Sequence, residues 1–234
     1  MPGNNANVVV IGGTSGIGRA VGSRYARRGY DVVISSRSAD RAKLAADQIG
    51  GQTRGIELDL SSPGQIADQV SGIDQLDHLV LAAIDRDRNS ARDYDLARAL
   101  QLVTLKLVGY TEVVHALAER MTAASSAVLV GGLAMERPYP GSTTITTVNG
   151  GVSALVRTLA VELAPIRFNA VHPAMVGDSP YWSDKPELVS AAARRTPIGR
   201  LATMEEIADA IAFLLENPSV NGTNLSVDGG ASLV

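Results

Sequence analysis

Short runs of β-branched and other apolar residues alternate with longer segments of helical periodicity from one end of the chain to the other. The apolar runs cover residues 8–11, 32–35, 55–58, 78–82, 127–130, 168–171 and 224–227. Short and largely apolar, they predict strands buried on both faces, as in a parallel sheet covered by helices. Between them, helical patterns span 16–28, 38–49, 63–70, about 93–121, about 148–163 and 204–216. In the first of these, Ile17, Val21 and Tyr25 recur every fourth residue and set one stripe against a sheet. Ser38 or Asp40 can cap the second helix, and Thr203 with Glu206 forms a capping box ahead of Ile207, Ile211 and Leu214. The long central helix carries Leu100, Leu107, Val114 and Leu117, a stripe that suits either the core or a contact between copies. Unbroken strand–helix alternation predicts an α/β fold: a Rossmann-type, doubly wound parallel sheet of about seven strands, in a single domain over 1–234.

Composition narrows the function. A chain of 234 residues, 45% of them apolar, can bury a core without staples. With no cysteine there is no disulfide framework, thiolate nucleophile or zinc–thiolate site. The net charge of −3 argues against nucleic acid or an anionic membrane held by bulk electrostatics. No apolar run approaches the roughly 20 residues of a membrane span, and residues 1–10 lack the pattern of an export signal. A soluble, cytoplasmic, single-domain protein is expected, with no nucleic-acid or membrane partner. The three histidines show no metal-ligand spacing, so no metal site is expected. Only Lys43, Lys106 and Lys185 are available to any mechanism that needs a lysine.

The first strand runs directly into Gly12, Gly16 and Gly18, with Thr14, Ser15 and Ile17 between them, and the first helix opens there. In such a turn the first glycine lets the chain bend sharply. The second admits a pyrophosphate to the backbone, and the third lets helix and strand pack closely. The free N–H groups of the helix start then face the phosphates. At the end of the second strand an acid would accept the ribose 2′-hydroxyl of NAD, but here stand Ser35, Ser36 and Arg37. A guanidinium pairs well with a 2′-phosphate, so NADP(H) is the expected cofactor.

At this point the sequence resembles the short-chain dehydrogenase/reductase family over essentially its whole length. The stretch from Gly12 to Arg19 looks like the family's glycine motif, with Ile11 where Thr is usual. Asp59, followed by Leu60, matches the residue that holds the adenine, and Ala82 and Ala83 follow the fourth strand. The stretch from Asn169 to Val176, including Pro173, resembles the segment lining the nicotinamide, with Ala174 for the usual Gly. Pro197 to Leu201, Glu205 to Ala208 and Val227 to Gly230 resemble the C-terminal signature. The resemblance implies a seven-stranded parallel sheet, a homo-oligomer (dimer or tetramer), and hydride transfer between NAD(P) and a carbonyl or alcohol.

In that family an Asn, a Ser, a Tyr and a Lys carry the proton chemistry. Matching positions here hold Lys106, Gly132, Ile145 and Asn149, and Leu81 to Ile84 replace the usual Asn-Asn-Ala-Gly. The cofactor half of the pattern is present and the usual proton-transfer half is absent. Three readings follow. The first is an NADP(H)-dependent reductase of a carbonyl, enone or imine with a rebuilt site. There Lys106 donates a proton or stabilises an oxyanion, Tyr139 swings its phenol toward the place Ile145 vacates, and Asp85 favours an iminium. Each also reads plainly: Lys106 as a solvated helix residue, Tyr139 as loop packing, and Asp85 with Arg86 and Asp87 as a solvated charge cluster. The second reading is a catalytically silent NADP(H)-binding sensor or partner subunit, and the third a non-redox lyase or isomerase. Asn149 can still bond the nicotinamide ribose, His172 reads as a structural hydrogen-bonder or an acid, and Tyr181 with Trp182 falls where the family carries a substrate lid.

Overall fold

The computed structural model describes residues 6–234. Seven strands form one sheet: β1 (Asn7–Ile11), β2 (Asp31–Ser36), β3 (Gln52–Glu57), β4 (Leu76–Leu81), β5 (Met121–Val130), β6 (Arg167–Pro173) and β7 (Asn224–Val227). Their spatial order is β3-β2-β1-β4-β5-β6-β7, and every neighbouring pair is parallel. The order reverses between β1 and β4, and in such sheets a ligand crevice opens there, beyond the strands' carboxyl ends.

Both faces of the sheet are covered, which is why the central strands β1, β2 and β4 are largely apolar, while the edge strand β3 is polar and has no buried residue. Val8 and Val10 point into one cluster with Val21 of α1 (Gly16–Arg27), Ala45 of α2 (Ala39–Ile49) and Ile207 and Ile211 of α8 (Met204–Glu216). Val9 and Ile11 point the other way, toward Ile66 of α3 (Ile66–Gln69), Val113 of α5 (Tyr110–Leu117) and Val152 of α6 (Thr143–Glu162). The expected α/β class, strand number and doubly wound topology are all present. Among the described residues, no helix is long and apolar enough to cross a membrane.

Helix signals behave unevenly. The Thr203–Glu206 capping box forms, and at α2 Ser38 rather than Asp40 accepts the first-turn N–H, that of Arg41. Helix α6 begins at Thr143, five residues before the predicted start, because four threonines and an isoleucine in its first turns give little helical propensity. Helix α7 (Pro186–Arg195) has no counterpart among the predicted elements. The predicted 93–121 helix is α4 (Leu96–Val103), a π-helical stretch over Thr104–Gly109 and then α5, and it gives way to β5 at Met121. A π turn holds an extra residue and rotates everything after it. The expected Leu100–Leu117 stripe therefore divides: Val114 and Leu117 are buried, while Leu100 is 58% exposed.

Candidate active site

The glycine turn has the shape of an anion cradle. Gly12 has a φ of +84°, and a Cβ on it would come within 2.6 Å of the Ala83 backbone, so β1's exit packs against β4's. At Gly18 a Cβ would lie 2.2 Å from the Gly12 carbonyl oxygen. Gly16, by contrast, has nothing within 4 Å of a Cβ position. Ser15, the N-cap of α1, makes no side-chain cap bond, so the helix's first N–H groups stay available to an anion. Thr14 and Ile17 are half-buried at its rim. Ser35, which sequence reasoning used only as a non-acid, also braces the turn, because its buried hydroxyl accepts the Gly12 N–H at 3.1 Å.

Three charged side chains gather beyond β2, β3 and β4. Arg37 is exposed and lies 4.0 Å from Asp85. Asp85 also accepts from Gln101 Nε2 at 3.0 Å and from the Arg86 N–H. Asp59 turns onto the Ser61 hydroxyl and N–H at 2.6 and 3.0 Å. Partial burial would raise its pKa, but those bonds and the Arg37 charge hold it below the usual carboxylate range. Leu60 is buried, and Ala82 and Ala83 are half-buried at the end of β4, with the Ala82 N–H bound to the Ile11 carbonyl.

Deeper in the crevice, Lys106 is not a solvated helix residue: it is 1% exposed, on the π-helical stretch. Its ammonium donates to the carbonyls of Val130 (2.5 Å) and Ala83 (3.3 Å) and to the Tyr110 hydroxyl (3.0 Å). Tyr110 in turn donates to the Ala83 carbonyl at 2.7 Å. The pair thus ties the carboxyl ends of β4 and β5 together. Burial pulls the Lys106 pKa down to about 7 and pushes the Tyr110 phenol up. Sequence reasoning missed Tyr110, although its position one turn after Lys106 was a usable signal.

Across from that pair stands a second polar group. Gly132, extended after β5, donates its N–H to His172 Nδ1 at 3.1 Å. His172 Nε2 lies 2.8 Å from Asn224 Oδ1 and 3.2 Å from the Ser153 hydroxyl. These partners assign a neutral ring with its proton on Nε2. Burial lowers its pKa, so of the two expected roles the structural one fits. Asn149 is 3% exposed, and its Oδ1 is buried without any hydrogen-bond partner. Its Nδ2 would lie 2.8 Å from a Cβ at Gly132, so these two positions face each other across the crevice. A buried carboxamide oxygen left unpaired is costly, and a ribose hydroxyl is the kind of donor it lacks. The cradle and this carboxamide together fit a dinucleotide. Pro173 and Val176 are buried where β6 ends, and Val176 bridges to Ala202.

The mouth is built from three segments, those that follow β4, β5 and β6. Tyr139 is 53% exposed and helps line a shallow hollow of about 540 Å³ with Arg92, Ser142 and Thr146. Asp87 is buried, with both oxygens unpartnered by hydrogen bonds and Arg98 Nε 3.8 Å away, so the Asp85–Asp87 run is not uniformly solvated. The lid after β6 is anchored by Asp178, which accepts the Met204 N–H at 2.8 Å. In it the Tyr181 and Trp182 rings meet edge to face at 4.6 Å. Among the described residues, no hydrogen bond or ion pair joins Lys106, Tyr139 and Asp85 to one another. Lys106 belongs to the crevice floor, Tyr139 to the rim, and Asp85 to the Arg37 end.

Comparison with known proteins agrees with this architecture. A family model described as enoyl-(acyl carrier protein) reductase matches residues 12–232. The chain is 32% identical over 234 residues to a human 3-oxoacyl-[acyl-carrier-protein] reductase, covering 96% of this chain and 97% of that one. It is 30% identical over 239 residues to carbonyl reductase family member 4 of Danio rerio, covering 97% of this chain and 98% of the relative. A solved short-chain dehydrogenase/reductase family protein superposes with a TM-score of 0.90 at 31% identity, covering all of both chains. A short-chain dehydrogenase/reductase from Serratia marcescens gives 0.90 at 26%, over 99% of this chain and all of the other. The chain therefore belongs to the short-chain dehydrogenase/reductase family of oxidoreductases, which work with a nicotinamide dinucleotide.

Proposed function

We propose that the protein is a cytoplasmic NADP(H)-dependent reductase of a small carbonyl, enone or imine, working through a proton-transfer site unlike its family's. The observation that carries this reading is the open glycine cradle together with the orphaned, buried Asn149 Oδ1. Gly12, Ser15, Gly16 and Gly18 would hold the pyrophosphate. Asp59, Leu60, Ala82 and Ala83 would flank the adenosine, Arg37 would take the 2′-phosphate, and Asn149, Pro173 and Val176 would hold the nicotinamide end. When bound, the nicotinamide supplies or accepts a hydride. Lys106 is the proton source of choice, because a pKa of about 7 lets its ammonium release a proton near neutrality. Tyr139 stands at the rim as a second donor. Asp85, held by Gln101 beside Arg37, tunes the nucleotide end instead of meeting an iminium. The exposed Leu96, Leu100 and Val108 on the central helix favour a homo-oligomer through that face.

One observation favours a silent nucleotide-binding protein instead: all three N–H groups of Lys106 are already taken by protein oxygens. The two readings separate by turnover. Calorimetry with NADPH comes first, followed by NADPH consumption with a cyclic iminium, an enone and a ketone. The expected result is micromolar binding, with the iminium consumed fastest because hydride addition to a cation needs no proton. Lys106→Met should slow the ketone about 10²–10⁴-fold and leave the iminium rate within a few-fold. Binding without consumption of any of the three would make the protein the silent binder, and no binding would overturn both.

A further inference from the structure

Arg86 follows β4 in the loop that forms one side of the crevice mouth, and the lid after β6 forms the other. Since β4 and β6 are the two neighbours of β5 in the sheet, these loops meet above the end of β5. Gly132 and Asn149 lie there. They meet through Arg86, whose guanidinium carbon sits 3.7 Å from the Tyr181 ring centre and 5.5 Å from that of Trp182. Tyr139 lies within electrostatic reach of the same guanidinium.

A guanidinium placed over a ring uses its face and keeps its edge N–H groups free for a planar anion. Among the described residues, none of the ion pairs or side-chain hydrogen bonds involves the Arg86 guanidinium. The adjacent carboxylates are engaged elsewhere: Asp85 with Gln101 and Arg37, Asp87 buried beside Arg98. A cation at the mouth of a carbonyl-binding crevice, stacked in place and lacking an anion, lacks only that partner.

We propose that Arg86 is a substrate-recognition residue, and that the substrate carries a carboxylate or phosphate group which Arg86 binds edge-on beneath the Tyr181–Trp182 lid. This rests on the reading of the crevice as a reductase site and names the substrate class of that site. The anion fixes the orientation of the carbonyl above Gly132 and Asn149, while the aromatic stack closes over it.

The test uses Trp182, the chain's single tryptophan, as a reporter 5.5 Å from Arg86. The full-length protein is titrated by fluorescence with two matched pairs, acetoacetate against methyl acetoacetate and dihydroxyacetone phosphate against dihydroxyacetone. NADPH affinity is measured separately by calorimetry. The expected result is at least about tenfold tighter binding of the charged member in one pair, and the pair that shows it identifies a carboxylate or a phosphate. In Arg86→Gln that preference collapses to about one, with NADPH affinity within about twofold of wild type. Equal binding within both pairs, or a preference that survives Arg86→Gln, would overturn the proposal. Failure of NADPH to bind, with the anion preference intact, would instead sink the reductase reading and leave Arg86 as an anion site.

Discussion

Lys106 shows how burial can both hold a residue in place and make it reactive. Three acceptors hold its ammonium between β4 and β5, while desolvation favours the neutral amine and brings its pKa to about 7. In the unfolded chain that pKa returns to about 10.5. Between those two values the unfolded chain binds the proton and the folded one does not, so the Lys106 contribution to stability rises with pH across this window and is constant below it. A shift of this size corresponds to a gain on the order of 5 kcal/mol. Above pH 10 the trend reverses, because buried Tyr25 and Tyr110 keep protons that the unfolded chain loses. Urea unfolding from pH 7.5 to 10, above the titration of buried His78 and His172, should show the rise in wild type and a flat profile in Lys106→Met. A rise of equal size in both would exclude Lys106 as its source. None of this was visible in sequence, where a lysine on a helix is most simply solvated. Its burial depends on a crevice floor assembled from β4, β5 and the π turn.

At the level of elements, the lid end of the crevice is fastened by ordinary helix chemistry. The start of α8 has its N–H groups satisfied by Thr203 (from Glu206) and, from outside the helix, by Asp178 at the root of the lid. The first was legible, since Thr-x-x-Glu before an apolar stripe is a local pattern. The second was not, because it joins residues 26 positions apart. Thr203→Ala and Asp178→Ala should each cost about 1 kcal/mol in denaturant unfolding, the usual loss of a cap. Only Asp178→Ala should also lower the fluorescence anisotropy of Trp182, by loosening the lid, and Asp178→Asn should retain most of both. Identical anisotropy in Asp178→Ala and Thr203→Ala would detach the lid from this contact. The π turn at Thr104–Gly109 escaped sequence reasoning for a related reason. Its composition is that of any helix, and the phase shift it imposes becomes apparent only when Leu100 and Val114 turn out to face opposite ways.

For the whole molecule, the sheet's switch point lies between β1 and β4, so a nucleotide held there as proposed would touch both the β1–β3 half and the β4–β7 half. The topology was legible because apolar strands, glycines and caps are local signals that agree with each other. The balance of charge at the adenosine end was not, since Arg37 and Asp85 come from different halves and lie 48 positions apart. A 2′-phosphate at Arg37 gains the guanidinium but also meets the Asp85 carboxylate, whose 4.0 Å approach partly neutralises that cation. The ion pair is solvent-exposed and screened, so its removal is a change of a few-fold, not of orders of magnitude. Nucleotide at about 100 times its Kd should add about 2.7 kcal/mol to unfolding, which makes melting temperature a readout of the whole fold. Asp85→Asn should raise NADPH affinity about two- to fivefold at low salt. NADH affinity should be nearly unchanged, because NADH lacks the phosphate. Arg37→Glu should weaken NADPH far more than NADH and reverse the order of their stabilising effects. If Arg37→Glu weakens both nucleotides equally, Arg37 contacts a part that they share, and the proposed selection of NADPH by Arg37 is overturned.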